Sequence, residues 1–337
     1  MIVTVWLSGE NEALARAELA ATAERLRGGP IEISAGDLGP GRGVVELPDR
    51  SAALELAGRL ALAHRCAEAW PGNRPEALEP GLRRRGSDGS SAAFQWISGS
   101  GSIRPPELLR RFGDQYRLGG GSIDLKTPDH RFWLEPLPGD RIRLFEEVGS
   151  FHRSTFADRR MQRFPFQRPV TLDPRLARAL VNLAHVGPGD RVVDPFVGTG
   201  SLLLEAALLG ASTVGVDASA TMVRGALENF NHLGQTPELL RQADASEAAM
   251  EFPPGSFDAL VTDPPYGRAS GTRGERPELL WNRVLRAWTD KVKPGGRLAV
   301  IVPAGGPAPE LNARLELAIP QRVHRSLTRE FRVYLRS

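Results

Sequence analysis

The sequence of 337 residues predicts an α/β fold: a doubly wound parallel sheet in the C-terminal half, preceded by an α+β region. Two observations favour the sheet. From about residue 170 onward, apolar runs of the buried parallel-strand type alternate with amphipathic stretches of helical period. Aspartates also end or follow four of the predicted strands, as expected where a ligand lies along the carboxyl edge of such a sheet.

The elements of the C-terminal half follow from this alternation. Four apolar runs predict strands, namely "DRVVDPF" (190–196), "STVGVDA" (212–218), "FDALVTD" (257–263) and "GRLAVIV" (296–302), and another strand is expected before "RQADAS" (241–246). Three amphipathic stretches predict helices: "SLLLEAALLG" (201–210), "SATMVRGALENFNHLG" (219–234) and "PELLWNRVLRAWTDKV" (277–292). "KPGG" (293–296) is expected to stop the last helix, and residues 321–337 to form an antiparallel hairpin at the sheet edge.

The N-terminal part predicts two smaller α+β units. Residues 1–70 show strands over 2–8, 31–36 and 43–48 and helices over 10–29 and 51–63, in the β-α-β-β-α order of a ferredoxin-like domain. Residues 71–150 show strands over 92–98, 122–126, 130–137 and 141–148 and a helix over 105–121. The aperiodic, arginine-containing residues 151–168 are interpreted as a linker, which places the C-terminal α/β domain at 169–337.

The composition excludes several classes of protein. Cys66 is the only cysteine, so disulfides within the chain and cysteine-rich zinc sites are excluded, and no metal site is predicted. No apolar run approaches the ~20 residues of a membrane span, and a cytoplasmic protein is expected. The cations are almost all arginines, which can hold phosphate with two hydrogen bonds and stack on bases. A GC-rich genome explains the arginines equally well, so composition alone does not establish a nucleic-acid partner.

A glycine-rich turn follows the first strand, in "VVDPFVGTGSLLLEAA" (192–207). Gly198 and Gly200 let the backbone turn sharply and pass close to a ligand. The dinucleotide fingerprint G-x-G-x-x-G is not met, because Leu203 stands at the third glycine position; an NAD-dependent oxidoreductase is therefore disfavoured. Asp194 would repel a pyrophosphate but can bind an ammonium group. The turn favours a cationic amino-acid ligand such as S-adenosyl-L-methionine.

Three further acids follow the next strands. Asp217 can accept hydrogen bonds from ribose hydroxyls, and Asp244 can accept one from an adenine amino group. Asp263 follows the fourth strand. Each aspartate alone is more simply explained as a helix N-cap or turn residue. Their recurrence at successive strand ends favours one extended ligand along the sheet edge.

The stretch "TDPPYGR" (262–268) predicts a rigid acceptor site. Two prolines cannot continue the strand ladder and hold the chain stiffly extended. An exocyclic amine of a nucleobase is a poor nucleophile and becomes positively charged as it is methylated. The Asp263 carboxylate and the Pro264 carbonyl can accept the hydrogens of that amine, and pre-aimed groups of this kind typically contribute a few kcal/mol each. Tyr266 offers a flat face for a flipped-out base.

With these motifs in this order, the sequence resembles the unpermuted class I S-adenosylmethionine-dependent methyltransferases, which have a Rossmann-like domain and act on exocyclic amines. More narrowly, it is similar to the archaeal tRNA guanine-10 N2-methyltransferase family. Four stretches within residues 168–337 carry that similarity: "RPVTLDPRLARALVNLA" (168–184), "DPFVGTGSLLLEAA" (194–207), "TDPPYGRAS" (262–270) and "HRSLTREFRV" (324–333).

The resemblance extends more loosely to the N-terminal part. "GGGSIDLKTPDHRFWLEPL" (119–137) is similar to a strand segment of the THUMP domain, which in that family grips the 3′ end of tRNA. The resemblance therefore implies a ferredoxin-like domain at 1–70, a THUMP domain at 71–150 and tRNA as the partner of a monomer, with or without an activator subunit. One or two methyl groups on N2 of guanine are both compatible with it.

The resemblance also implies a role for individual residues. Those implied to surround the methyl donor are Pro169, Thr171, Asp194, Phe196, Gly198, Thr199, Gly200, Asp217 and Asp244. Those implied to hold and act on the guanine are Asp263, Pro264, Pro265 and Tyr266. Candidate RNA contacts are the arginines of "GLRRRG" (81–86), Arg110, Arg111, Arg117, Arg153, Arg159, Arg160 and Arg163. Methylation of rRNA guanine or DNA adenine, and a non-catalytic RNA-binding protein of the same fold, remain alternatives.

Overall fold

A computed structural model describes residues 1–337 apart from 35–39, 98–104, 150–152, 170, 266–275, 307, 308, 310, 325 and 326. The chain divides into two compact units, the first made of residues 1–7, 30–58 and 63–151, the second of residues 8–29, 59–62 and 152–337. Seven strands of the described residues form a sheet in each unit. The predicted α/β class is confirmed.

The first 150 residues contain these elements in chain order: β1 (Ile2–Leu7), α1 (Glu12–Arg27), β2 (Arg42–Glu46), α2 (Arg50–Arg59), β3 (Ala63–Ala69), α3 (Pro75–Gly86), β4 (Ser91–Trp96), α4 (Pro105–Leu118), β5 (Ser122–Ile123), β6 (His130–Leu137) and β7 (Arg141–Glu147). Their strands pair in the order β2-β1-β3-β7-β6-β4-β5. Aromatic residues of the strands and of α4 form much of the core beneath α3 and α4; Phe94 and Phe132 stack with ring centroids 5.0 Å apart.

The structure corrects several predictions in this part. Of the strand predicted at 31–36, only Ser34 makes a bridge, to Val44, among the residues described there. The helix predicted at 51–63 ends at Arg59, and β3 follows in the alanine-rich "AHRCAEA". That stretch lacks β-branched residues and is extended because it pairs between β1 and β7. The observed order is β-α-β-α-β, and the arginine-rich 81–86 lies in a helix, α3, that was not predicted.

The remaining residues form these elements: α5 (Arg153–Asp158), a 3₁₀ turn (Met161–Arg163), α6 (Pro174–Leu183), β8 (Arg191–Asp194), α7 (Ser201–Ala207), β9 (Ser212–Asp217), α8 (Ala220–His232), β10 (Leu239–Gln242), α9 (Ala245–Ala249), β11 (Phe257–Thr262), α10 (Pro277–Thr289), β12 (Val292–Pro303), β13 (Ala313–His324) and β14 (Leu327–Arg336). Strands pair in the order β10-β9-β8-β11-β12-β14-β13. The first five in this order are parallel, and β14 is antiparallel to both neighbours.

This order determines where a ligand can bind. The connections run outward from β8 on one side and from β11 on the other, so the two central strands form a topological switch point. Their carboxyl ends carry Asp194 and Thr262. The predicted hairpin is confirmed, although its first strand begins earlier, at Ala313. The prediction that "KPGG" stops the last helix is wrong in detail: α10 ends at Thr289, and these residues lie inside β12, where the pairing with β11 shifts register.

The N-terminal helix α1 is part of the second unit, because it packs on α6 around a buried carboxylate. Glu18 is fully buried and accepts hydrogen bonds from Ala61 N (2.9 Å), Leu62 N (2.8 Å) and Asn182 Nδ2 (2.8 Å). Burial raises the pKa of Glu18 although these donors oppose the shift. One side chain therefore connects three segments that are distant in sequence.

Replacing Glu18 by alanine is expected to lower the free energy of unfolding by about 3 kcal/mol or more, because each buried donor left without a partner costs about 1–3 kcal/mol. Urea denaturation would measure the change. Glu12→Ala is the control on the same helix: its ion pair with Arg16 is partly exposed, and such pairs contribute about 0–1 kcal/mol. Equal losses in the two variants would contradict the role assigned to Glu18.

None of the helices in the described part of the chain has the length and apolar character needed to span a bilayer.

Candidate active site

The glycine turn between β8 and α7 has the close-packed conformation predicted for it. Gly198 and Gly200 have φ angles of 52° and 87°, in the left-handed region that favours glycine. Gly200 N donates to Val197 O at 2.8 Å and closes the turn. A Cβ atom on Gly200 would lie 3.3 Å from Ala226 Cβ and from the Phe230 ring on α8. The turn therefore needs glycine for both its conformation and its packing.

Asp194 lies at the switch point and is 1% exposed. Its Oδ1 accepts hydrogen bonds from Thr262 Oγ1 at 2.6 Å and from Phe196 N at 2.9 Å. The pKa of Asp194 is raised to about 7, mainly by burial and in part by the negative charges of Asp263 and Asp217, while these two hydrogen bonds oppose the shift. Both donors are uncharged. The site therefore holds a carboxylate that a bound cation would stabilise.

Asp217 connects the end of β9 to the glycine turn. Its Oδ2 accepts from Gly198 N at 3.0 Å, and its Oδ1 accepts from Ser219 N at 2.8 Å, just before α8. Asp217 is partly exposed. A carboxylate offers about four lone-pair sites, so each oxygen can accept a further hydrogen bond from a ligand.

The D-P-P stretch begins where β11 ends. Asp263 is partly exposed and Pro264 is buried. Asp263 lies close enough to raise the pKa of Asp194 by its charge. Tyr266 lies outside the described residues. The buried Thr262, which sequence analysis missed, donates to Asp194 across the switch point; a hydroxyl at the end of an otherwise apolar strand was the available signal.

Asp244 differs from the other three acids. It is the N-cap of α9, where its Oδ1 accepts from Ser246 N at 2.9 Å, and it forms an ion pair with Arg283 at 3.1 Å. Although partial burial opposes the shift, Arg283 and the backbone donors hold the pKa of Asp244 below its usual value. The N-cap explanation weighed for each aspartate thus describes Asp244, whose carboxylate is engaged by its own helix and by Arg283.

The segment before α6 approaches the glycine turn at Thr171. Thr171 Oγ1 lies 3.3 Å from Thr199 Oγ1, which in turn lies 3.1 Å from Ser201 Oγ. Pro169 is exposed.

Sequence analysis also missed Asn229, on α8. It is 2% exposed, accepts from Phe166 N at 3.1 Å, and donates from Nδ2 to Phe166 O and to Thr199 O, both at 3.0 Å. A buried amide therefore joins the segment before α6 to the glycine turn. The signal for it was an asparagine on the apolar face of an amphipathic helix, beside Ala226 and Phe230.

Five of the ten arginines considered for RNA contact have hydrogen-bond or ion-pair partners within the protein. Arg83 donates to Gln115, Arg85 pairs with Glu146, and Arg111 pairs with Glu76 and Glu79. Arg117 pairs with Asp114, and Arg159 with the buried Glu205. Among the described residues, no group of three or more His, Cys, Asp or Glu side chains is arranged to hold a metal ion.

Comparisons with known proteins place this chain in a family. The family model "UPF0020: RMKL-like, methyltransferase domain" matches residues 160–311. The tRNA (guanine(10)-N2)-dimethyltransferase of Methanothermobacter thermautotrophicus is 33% identical over 345 aligned residues, which cover 99% of both proteins. The tRNA (guanine(6)-N2)-methyltransferase of Thermus thermophilus is 30% identical, over 63% of this chain and 66% of that protein.

A solved structure agrees with both sequence comparisons. The crystal structure of TrmN from Thermus thermophilus is similar with a TM-score of 0.50 and 25% identity, over 100% of both chains. The resemblance predicted from the four motifs is confirmed, because a relative above 30% identity aligns with nearly the whole chain. The chain belongs to the methyltransferase family represented by the archaeal tRNA (guanine(10)-N2)-dimethyltransferases.

Proposed function

We propose that this protein transfers methyl groups from S-adenosyl-L-methionine to the N2 amine of guanosine 10 in tRNA, giving N2-methyl- and N2,N2-dimethylguanosine. The observation that carries the proposal is the placement of Asp263 and Pro264 directly after β11, at the switch point that Asp194 and the glycine turn share. The full-length relationship to a guanine-10 dimethyltransferase supports the position of the target.

The site residues fit the methyl donor. Asp194 is a buried carboxylate whose partners are uncharged, which suits an ammonium group, and Asp217 retains lone pairs for ribose hydroxyls. Gly198 places no side chain in the space beside the turn, whereas Gly200 packs against Ala226 and Phe230 of α8. Phe196, Thr199, Thr171, Pro169 and Asp244 complete the donor site that we propose. When bound, S-adenosyl-L-methionine supplies an electrophilic methyl group.

The acceptor residues act on the amine. The Asp263 carboxylate and the Pro264 carbonyl accept the two hydrogens of the guanine amine and direct its lone pair toward the donor. Positive charge grows on the nitrogen as the new bond forms, and Asp263 stabilises it. Pro265 keeps the backbone extended. Tyr266, outside the described residues, is proposed to stack on the flipped-out guanine.

Asp194 makes donor binding depend on pH. Its pKa of about 7 means that a growing fraction is protonated below that pH and cannot pair with an ammonium group. We expect the dissociation constant for S-adenosyl-L-methionine to rise roughly five- to tenfold between about pH 7.5 and pH 6, where the donor's amino group stays mostly protonated. Calorimetry would measure it.

Asp194→Asn is the control for that measurement. The variant should bind weakly with little pH dependence. It should fold at least as stably near neutral pH, because it removes a carboxylate that burial disfavours in its charged form. A wild-type affinity that stayed constant over the same range would exclude Asp194 as the partner of the ammonium group.

The tRNA-binding role is proposed for the N-terminal part, with a ferredoxin-like domain at 1–70, a THUMP domain at 71–150 and a linker at 151–168. The exposed Arg84 and Arg110, on α3 and α4, are available there for phosphate contacts. We propose a cytoplasmic monomer, consistent with a tRNA substrate.

The test compares matched substrates. The protein is incubated with labelled S-adenosyl-L-methionine and tRNA transcripts carrying guanosine or adenosine at position 10, and products are mapped by mass spectrometry. Methylation of the first transcript alone, at N2, is expected. Label at guanosine 6 or at another tRNA nucleotide would show that the proposed target position is wrong. Label only in rRNA or DNA would show that the proposed substrate is wrong. Binding of tRNA without any label would favour a non-catalytic RNA-binding protein.

A further inference from the structure

Residues 164–169 and Thr171 follow α8 from its end toward the glycine turn. The Phe164 ring packs against His232, in the last turn of α8, with centroids 5.8 Å apart. Phe166 lies next, against Gly225, where a Cβ atom would overlap its ring. Thr171 then reaches Thr199 in the turn. The segment therefore runs antiparallel to α8 and leads to the donor site.

Asn229 holds this segment in register with the turn. Its side chain bonds both the N–H and the carbonyl of Phe166, as a neighbouring strand would, and bonds Thr199 O as well. Because Asn229 is buried, these hydrogen bonds are protected from water. Side chains of the segment consequently have a defined position relative to the proposed site of the methyl donor.

Cationic side chains lie in this segment and in the residues just before it. Arg160, Arg163 and Arg168 are exposed, as is Arg224, which precedes the glycine that receives Phe166. Within the described part of the chain, the guanidinium groups of Arg160 and Arg163 have no hydrogen bond or ion pair. The Arg168 guanidinium lies over the Phe166 ring, 4.9 Å from its centroid, with its edge available to an anion.

Few acids balance these charges. Residues 158–169 contain one acid, Asp158, and α8 contains one, Glu228, both exposed. Arg159 is the exception among the neighbouring arginines, because it turns inward to Glu205 and anchors the start of the segment. The exposed side of the segment is thus a basic ridge beside the donor site.

We propose that Arg160, Arg163 and Arg168 form a track for the RNA backbone, which guides the strand carrying the target guanosine to the methyl donor. The chemistry fits phosphates, because arginine holds them through two hydrogen bonds without reading a base. The track rests on the proposed function, with tRNA as the substrate. It adds a phosphate-binding surface on residues 160–168, which belong to the second unit and lie outside the proposed RNA-binding domains at 1–70 and 71–150.

The test is the triple variant Arg160→Gln/Arg163→Gln/Arg168→Gln, assayed for methyl transfer to tRNA at several salt concentrations. We expect KM for tRNA to rise about 10- to 100-fold with little change in kcat. The slope of log KM against log salt should fall by about two, since each single-strand phosphate contact contributes about 0.7. The dissociation constant for S-adenosyl-L-methionine should not change, which also shows that the variant is folded.

A control variant also removes three positive charges, at other positions in the second unit. Arg27→Gln/Lys293→Gln/Arg314→Gln changes three exposed cations, at the end of α1 and at the starts of β12 and β13. It should leave KM and its salt slope close to wild type. An unchanged KM and slope in the track variant, or equal effects in both variants, would overturn the proposal. A wild-type protein that methylates no tRNA would instead refute the proposed function.

Discussion

Replacing Asp263 by alanine is expected to lower kcat by about 10²–10³-fold while leaving the affinities for donor and tRNA nearly unchanged. The guanine amine is almost neutral before the reaction, so the carboxylate contributes little to binding the substrate. The nitrogen becomes cationic in the transition state, and the same carboxylate then contributes most. An interaction made mainly in the transition state lowers kcat, rather than raising KM, when it is removed.

Single-turnover rates and separate binding measurements would test this expectation. Asp263→Asn should retain more activity than Asp263→Ala, because the amide oxygen can still accept a hydrogen of the amine. The structure adds a specific control: Asp263 raises the pKa of Asp194, so its removal should lower that pKa and weaken the pH dependence of donor binding. A near wild-type rate for Asp263→Ala, or a loss explained by tRNA affinity alone, would refute the catalytic role.

Replacing Asp217 by alanine is expected to weaken donor binding by about 10- to 100-fold, since a charged acceptor contributes roughly 1.5–3 kcal/mol. The structure shows a second reason for a large effect. Asp217 also accepts from Gly198 N and Ser219 N, so its removal leaves the glycine turn less constrained. The loss should therefore combine a missing ligand contact with a less ordered turn.

An analogue of the demethylated donor that lacks the ribose hydroxyls separates the lost ligand contact from the loosened turn. Wild type should bind S-adenosylhomocysteine more tightly than its 2′,3′-dideoxy form, and Asp217→Ala should discriminate much less between them. The four affinities, of two proteins for two ligands, form a thermodynamic cycle, and its coupling energy separates the ribose contact from the effect of the substitution on the turn. If calorimetry on the folded variant showed full discrimination, Asp217 would not be a ribose ligand.

The local sequence pattern was sufficient to predict most strands of the second unit. Apolar runs flanked by helical periods predicted β8, β9, β11 and β12, and aspartates end or follow β8, β9 and β11 as predicted. These features were accessible because strand alternation, helix period and turn glycines are properties of neighbouring residues. The motifs within them also predicted the family.

Local pattern was misleading where pairing or packing decides the structure. The alanine-rich β3 has weak strand propensity and is extended because β1 and β7 flank it. The helix α1 has an ordinary amphipathic sequence, yet it belongs to the second unit because Glu18 bonds Asn182, 164 residues away. The spacing of apolar residues along a helix or strand does not indicate contacts between residues so far apart in the sequence.

The sequence by itself therefore determined the α/β class, the strands that aspartates end or follow, and the position of the glycine turn. Only the tertiary structure decided how these residues cooperate. It paired Thr262 with Asp194 across 68 residues, assigned Asp244 to a helix cap and Arg283, and joined Phe166 to the glycine turn through Asn229. The physical reason is that a hydrogen bond between distant segments depends on which strands and helices are neighbours, and that is a property of the whole packed chain.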